Sequence, residues 1–169
     1  MSVLLPDEPG TYALQLHLSR PLQQEIGRLG RFLFPAGELI YVGSAFGPGG
    51  LRARLGRHLN HAGAPRWHID TLLPAAQLIG FWATTFPSRL ECGWVATLAA
   101  LPGASYPASG LGSSDCRHGC PAHLLAFTGF DQQAISEQLE QTLHAVAQRE
   151  QIHEYRVTRT ICPPNERFT

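Results

Sequence analysis

The sequence contains no lysine, so all 13 of its strongly basic side chains are arginines, and 13 acidic residues balance them to a net charge of zero. A neutral chain argues against nucleic-acid binding through bulk charge alone. No apolar run reaches the roughly 18 residues that span a bilayer. The N-terminus has neither the basic nor the apolar region of a secretory signal. These absences predict a cytoplasmic protein without a membrane partner.

Cysteine is also scarce, with four in 169 residues. Nothing marks the chain as secreted, so these scattered cysteines argue against a disulfide framework. Cys116, Cys120 and His123 are nonetheless residue types that bind zinc, and Cys92 or His118 would supply a fourth ligand. Two interpretations stay open for this segment, a structural Zn²⁺ site and a set of reduced thiols.

The arginines are concentrated in one part of the chain. Residues 28–68 include six arginines and a single acid, Glu38. Guanidinium groups bind phosphate oxygens in pairs, so this segment predicts a phosphate-binding surface. The alternative is a solvated helix face, which is the usual position of such charges. The basic residues of the segment are Arg28, Arg31, Arg52, Arg54, Arg57 and Arg66, with His58, His61 and His68 among them.

The length of 169 residues and the hydrophobic share of 44% predict a single α/β domain, over residues 1–149. Residues 150–169 mix charge with Pro163-Pro164 and predict a loosely packed or partner-ordered tail. Residues 11–18 alternate as a half-buried strand, and Tyr12 lies on the apolar face. Strands over residues 23–34, broken near a glycine, and over residues 38–42 complete a small antiparallel meander.

The remaining elements are predicted from spacing and from helix-ending residues. Leucines at 51, 55 and 59 form one helical stripe. Pro102-Gly103 ends a helix that begins at Ser88, and the long loop that follows is a type of segment that often carries function. Asp131 predicts a helix N-cap. The other predicted elements are a short helix over residues 69–73, strands over residues 77–84 and 123–127, and a helix to about residue 148.

Two tyrosine motifs carry the clearest functional signal. Gly10-Thr11-Tyr12 and Tyr41-Val42-Gly43 each place a tyrosine and a glycine in a strand-like context, and helices bearing Arg54 and Glu91 follow them. In this order the motifs resemble the GIY-YIG nucleases. The segment Gly112-Ser113-Ser114-Asp115-Cys116 is similar to the Uri-type stand-alone branch, the domain-of-unknown-function 123 family. The resemblance spans most of residues 10–127.

The resemblance implies a GIY-YIG-like α/β fold, a small central antiparallel β-sheet flanked by helices, with an added Gly/Ser/Cys loop and a C-terminal helix. It implies a divalent-metal-dependent endonuclease that hydrolyses DNA, or alternatively RNA, in repair or processing. Glu91 would hold Mg²⁺ or Mn²⁺, hard cations that take oxygen ligands. Arg54 would stabilise the transition state, His58 would assist proton transfer, and Tyr12 and Tyr41 would activate or position water. Nucleic-acid contacts are expected from Gly43, Ser44, Arg31, Arg52, Arg57 and His68.

Each of these assignments has a structural alternative. Ser88-Arg89-Leu90-Glu91 fits a capping box, in which the glutamate would bond the Ser88 amide. The two tyrosines would be core aromatics, His68 a packed histidine, and Asp70 a helix cap. Ser44 stands where many of the resembling proteins carry lysine. The second interpretation is therefore a non-catalytic nucleic-acid-binding or protein-interaction module on the same scaffold.

Overall fold

The computed structural model describes residues 4–61, 63–150 and 158–162. Within them the chain forms eight β-strands and four α-helices. The strands are β1 (Gly10–Leu18), β2 (Leu22–Ile26), β3 (Gly30–Phe34), β4 (Gly37–Ala45), β5 (Gln77–Thr84), β6 (Ala104–Ser105), β7 (Leu124–Phe127) and β8 (Thr158–Ile161). The α-helices are α1 (Gly50–Leu59), α2 (His68–Leu72), α3 (Glu91–Ala99) and α4 (Gln132–Arg149).

Six of the strands form one sheet in the spatial order β6-β7-β4-β1-β5-β8. Every neighbouring pair in it is antiparallel. The motif-bearing strands β1 and β4 are adjacent and pair over the full nine residues of β1. The predicted fold class, a small central antiparallel sheet flanked by helices, is confirmed.

Helices cover both faces of the sheet, which gives three layers. One face packs against α1 and α2, and its buried cluster contains Tyr12, Tyr41 and Leu55. The other face packs against α3 and α4 through residues such as Trp94 and Leu139. The prediction of a half-buried β1 is therefore wrong, because α3 and α4 also bury its second face.

The predicted meander is wrong in its connectivity. β2 and β3 pair with each other in a separate two-stranded sheet, and β4 is the strand that returns to β1. Gly27 and Gly30 have φ values of 46° and 103°, which favour glycine because it has no Cβ. These two glycines form the turn that joins β2 to β3, and β4 begins after this hairpin.

In the C-terminal part of the chain, the predicted helix agrees with the structure, and the predicted tail does not. The Asp131 carboxylate accepts a hydrogen bond from the Ala134 amide at 2.8 Å, which confirms the N-cap of α4. The sequence predicts a loosely packed or partner-ordered tail, yet residues 158–161 of it form β8, which pairs with β5 at the edge of the main sheet. The rest of that tail, residues 151–157 and 163–169, lies outside the described residues.

The length and polarity of the described helices decide whether any of them could cross a membrane. α4 is 18 residues long, but it and the other helices of the described ranges are too polar or too short to cross a bilayer.

Candidate active site and metal cluster

The pairing of β1 with β4 brings the two tyrosine motifs together. Tyr12 lies opposite Gly43, and Leu14 lies opposite Tyr41, so the two tyrosines occupy the same face of adjacent strands. Their ring centroids are 6.3 Å apart. A Cβ on Gly43 would lie 2.5 Å from the Tyr12 hydroxyl oxygen. The glycine of the second motif therefore makes room for the tyrosine of the first.

A polar cavity of about 370 Å³ opens beside these strands, and we call it the central cavity. Three arginines and two carboxylates line it, a combination suited to an anionic ligand and a cation together. Its lining includes Tyr41, Gly43, Ser44, Arg54, Arg66, Trp67, His68, Arg89, Glu91, Ser114, Asp115 and His123.

Stacking on Trp67 holds the Arg54 side chain. The Arg54 guanidinium carbon lies 3.8 Å from the centroid of the Trp67 ring, and the Arg66 guanidinium carbon lies 5.1 Å from it. Guanidinium groups stack favourably on indole faces. This arrangement pre-orders Arg54 at the wall of the central cavity.

Glu91 is the first residue of α3 and is only 8% exposed. Its Oε1 accepts a hydrogen bond from Arg89 at 3.3 Å, and the same Arg89 nitrogen donates to the Ser44 hydroxyl at 2.7 Å. Its Oε2 is buried and has no hydrogen-bond partner within the described part of the chain. A buried carboxylate oxygen without a partner is unfavourable unless a cation or water satisfies it.

The start of α3 does not contain the capping box that was the structural alternative for Glu91. The helix begins at Glu91 with Leu90 as the N-cap, and no side chain caps it. Instead the Leu90 amide donates to the Thr11 hydroxyl at 3.2 Å, which ties the helix start to β1. The Glu91 carboxylate is therefore available to the cavity.

Tyr12 and His58 are buried together behind the cavity wall. The Tyr12 hydroxyl lies 2.8 Å from His58 Nε2, and His58 Nδ1 lies 2.6 Å from Asp70 Oδ1. The other Asp70 oxygen accepts the Arg66 and Trp67 amides at 2.9 and 3.0 Å. The carboxylate of Asp70 therefore caps α2, as predicted, and also holds His58.

Burial dominates the electrostatics of these groups. It raises the pKa values of both Tyr12 and Tyr41, which the Arg54 charge opposes. Burial likewise lowers the pKa of His58, against the effect of Asp70. Burial alone would raise the pKa of Asp70, but hydrogen bonds from His58 and the two amides lower it to about 2. At neutral pH, Asp70 is thus ionised, and the tyrosines keep their protons.

Cys92, Cys116, Cys120 and His123 form a compact cluster whose ligand atoms all lie within 4.8 Å of one another. Cys92 Sγ lies 3.5 Å from Cys116 Sγ and 4.0 Å from His123 Nε2. Ligands about 2.3 Å (sulfur) or about 2.1 Å (nitrogen) from a tetrahedral zinc ion have separations of this order. The prediction that these residues would meet is confirmed, and Cys92, rather than His118, is the fourth member.

The cluster adjoins the central cavity through neighbouring residues. Cys92 follows Glu91, and Cys116 follows Asp115, while His123 lines the cavity itself. The His123 backbone bonds Val42 of β4 and Leu111 of the loop at 2.9 and 2.8 Å. The cluster thus joins the loop to the sheet at the point where both carboxylates reach the cavity.

Three predicted nucleic-acid contacts lie away from the central cavity lining. Arg31 is on the β2–β3 hairpin and pairs with Glu25 at 3.6 Å. Arg52 pairs with Asp7 at 3.1 Å and donates to the Leu5 carbonyl. Arg57 faces a different cavity, on the Asp70 side of His58. Of the predicted contacts, Gly43, Ser44 and His68 line the central cavity.

The sequence analysis did not identify two residues that line the central cavity, Arg89 and Asp115, or the contact of Asp70 with His58. Arg89 was obscured by the apparent capping box, and Asp115 by a turn-like Ser-Ser-Asp segment. The contact of Asp70 with His58 spans 12 residues and depends on how α1 meets α2. One signal was available, since two of the clustered cysteines follow an acidic residue directly.

The fold and site define a three-layer α/β protein with an arginine-lined cavity next to a compact cluster of three cysteines and a histidine. The chain belongs to the family described as Domain of unknown function DUF123, which it matches over residues 11–148. No curated protein and no solved structure matches the chain.

Proposed function

We propose that this protein is a divalent-metal-dependent endonuclease that hydrolyses phosphodiester bonds of DNA in the central cavity. The observation that carries the proposal is the convergence of Tyr41, Arg54 and Glu91 on one polar cavity. Phosphodiester hydrolysis needs a positioned water, cationic groups around the phosphoryl oxygens and stabilisation of the leaving oxygen. The cavity offers residue types for each need.

The arginines would bind the scissile phosphate. Arg54 is held by its stacking on Trp67, so little side-chain freedom is lost when it contacts a phosphoryl oxygen. Arg66 adds a second guanidinium on the same tryptophan. Arg89 is engaged with Ser44 and Glu91 and would orient the carboxylate instead of contacting the phosphate.

Glu91, with Asp115 in the same lining, would hold Mg²⁺ or Mn²⁺. The unpartnered Oε2 and the oxygen donors of the two carboxylates fit a hard cation. Such a cation, when bound, polarises the phosphate and lowers the pKa of a coordinated water. Tyr41, which lines the cavity, would orient that water. As the water oxygen bonds to phosphorus, the bond to the leaving oxygen breaks. The water would release one proton to solvent, and the leaving oxygen would take one up.

The experiment is a cleavage panel of branched, nicked, flapped and single-stranded DNA with Mg²⁺ or Mn²⁺. Arg54→Ala is compared with Arg52→Ala. Arg52 lies on the same helix, but its side chain pairs with Asp7 and does not line the central cavity. We expect metal-dependent cleavage that falls by about 10²–10³ in Arg54→Ala and little in Arg52→Ala. DNA binding without cleavage across the panel would favour the non-catalytic module.

We also propose that the four-residue cluster holds a structural Zn²⁺. Three thiols and an imidazole at these separations suit zinc, and a full set of four protein ligands is typical of a structural site. Metal analysis of the purified protein is expected to give one zinc per chain. Cys116→Ser should lose it, whereas Cys162→Ser, which alters a cysteine outside the cluster, should keep it. A zinc-free wild type would refute this proposal.

A further inference from the structure

Three large aromatic side chains line the central cavity, and they differ in how they are packed. Tyr41 is 4% exposed and belongs to the buried core. Trp67 packs against the same core cluster, and the Arg54 guanidinium covers one face of its ring. Phe46 is partly exposed and belongs to neither of the two hydrophobic clusters of the described residues. Packing against the core therefore does not account for the Phe46 ring.

Phe46 directly follows β4 and lies next to the groups proposed to hold the metal ion. The Arg89 guanidinium carbon is 4.9 Å from the centroid of the Phe46 ring, within the range of a cation–π contact. The same guanidinium donates hydrogen bonds to Ser44 and Glu91. One face of the ring thus lies against the arginine that orients the Glu91 carboxylate. A ligand stacked on Phe46 would have its neighbouring groups close to that carboxylate.

The turn after Phe46 leaves room beside the ring. It consists of Gly47-Pro48-Gly49, which are all exposed, and a Cβ on Gly47 would have no described atom within 4 Å. A single apolar side chain on a protein surface is ordinary, but this ring lies in the wall of a polar cavity that three arginines line. Proteins bind single-stranded nucleic acid with this combination, in which cations contact the phosphates and an aromatic ring stacks on a base.

We propose that Phe46 stacks on a base, and that the central cavity takes an unpaired nucleotide of a DNA single strand or flap. This inference rests on the proposed nuclease function and names its substrate class. A base inside a duplex is stacked between its neighbours, so it can stack on a side chain only after it leaves the helix. The cavity volume of about 370 Å³ lies near the lower end of the range for small-ligand pockets, and it suits one nucleotide.

The test compares the binding of two short strands that have the same length and charge. One is a mixed-sequence DNA oligonucleotide, and the other is an abasic strand that keeps the sugars and phosphates but lacks the bases. Both affinities are measured at one salt concentration without Mg²⁺ or Mn²⁺, so that cleavage does not contribute. Because the phosphate contacts are common to both strands, the ratio of the two affinities isolates the contribution of the bases. A purely structural role of Phe46 would lower both affinities together and leave this ratio unchanged.

Three variants are compared with the wild type. Phe46→Leu keeps an apolar side chain but removes the ring, and we expect the ratio of intact to abasic affinity to fall by about 5- to 150-fold, the usual contribution of one base–aromatic stack. Phe46→Trp keeps an aromatic face and should keep the ratio. Phe130→Leu is the matched control, because Phe130 is also partly exposed but packs on the second hydrophobic cluster and does not line the central cavity. It should bind both strands as the wild type does.

The binding results and the cleavage panel fail separately. A wild type that binds the abasic strand as tightly as the intact one overturns this inference, and so does a ratio unchanged in Phe46→Leu or lowered equally in Phe130→Leu. In the cleavage panel we expect cuts in or next to unpaired strands, and cleavage of fully paired DNA alone overturns the inference while the proposed function stands. If the ratio depends on Phe46 but no DNA is cut, the nucleotide site stands and the proposed catalysis fails.

Discussion

At the scale of single residues, the glycines packed against the motif tyrosines are as informative as the tyrosines themselves. Gly43 and Gly112 are the positions where a side chain would meet a motif tyrosine, at 2.5 Å from the Tyr12 oxygen and 2.7 Å from a Tyr41 ring carbon. The sequence shows that a glycine is present, but it does not show which side chain a Cβ at that position would clash with. The partner of Gly43 is a residue about thirty positions away, and only the β1–β4 register identifies it.

Gly43→Ala should destabilise the protein through this contact. The Tyr12 ring is fully buried, so the overlap can be relieved only by shifting the core, at about 1–3 kcal/mol. Gly47→Ala is the control, because no described atom lies within 4 Å of a Cβ at that position. Urea unfolding measures both. Equal free energies of unfolding for the wild type and Gly43→Ala would contradict the packing of Tyr12 against this glycine.

The carboxylate of Asp70 gives a pH-dependent prediction. Its pKa is held at about 2 in the folded protein and is about 3.9 in an unfolded chain. The stabilising effect is complete above about pH 4 and is lost as the pH falls toward 2. The difference in unfolding free energy between wild type and Asp70→Asn should therefore shrink over this window. A difference that stays constant in urea unfolding from pH 5 to pH 2 would contradict the depressed pKa.

At the scale of elements, spacing predicted most strands and helices, while packing between layers decided their ends. The Ser88-x-x-Glu91 pattern fits a cap, but α3 starts three residues later because Thr11 of β1 bonds the Leu90 amide. The face of β1 away from Tyr12 looked solvent-exposed because it carries polar residues such as Gln15. That side chain is buried with Glu38 and Ser136 as hydrogen-bond partners. The local sequence pattern shows neither the Thr11–Leu90 hydrogen bond nor the buried partners of Gln15.

The long loop is the element most dependent on the cluster. It has little regular structure beyond the two-residue β6, and His123 joins it to β4. Removing zinc with a chelator should therefore raise amide hydrogen exchange over residues 110–123 and at the start of α3. Exchange at the start of α4, where Gln132 and Ser136 bond Gln15 of β1, should change less. A uniform change, or none, would contradict a local structural role for the ion.

At the scale of the whole molecule, the candidate site lies where the layers meet. Arg54 comes from α1 on one face of the sheet, Glu91 from α3 on the other, and Tyr41 from the sheet between them. The order of motifs along the sequence was enough to select these residues. It could not show that the Cys92 cluster adjoins them, because that depends on where the loop crosses the sheet.

The most direct test of the account is cleavage rate as a function of Mn²⁺ concentration for wild type, Glu91→Gln and Glu137→Gln. Glu137 lies on α4, exposed and remote from the cavity. Metal ions contribute several kcal/mol to catalysis, and about 1.4 kcal/mol is tenfold in rate. We predict saturable, Mn²⁺-dependent cleavage in the wild type and Glu137→Gln, and at least about a hundredfold loss in Glu91→Gln with zinc content unchanged. A Glu91→Gln protein that cleaves as the wild type does would contradict the account.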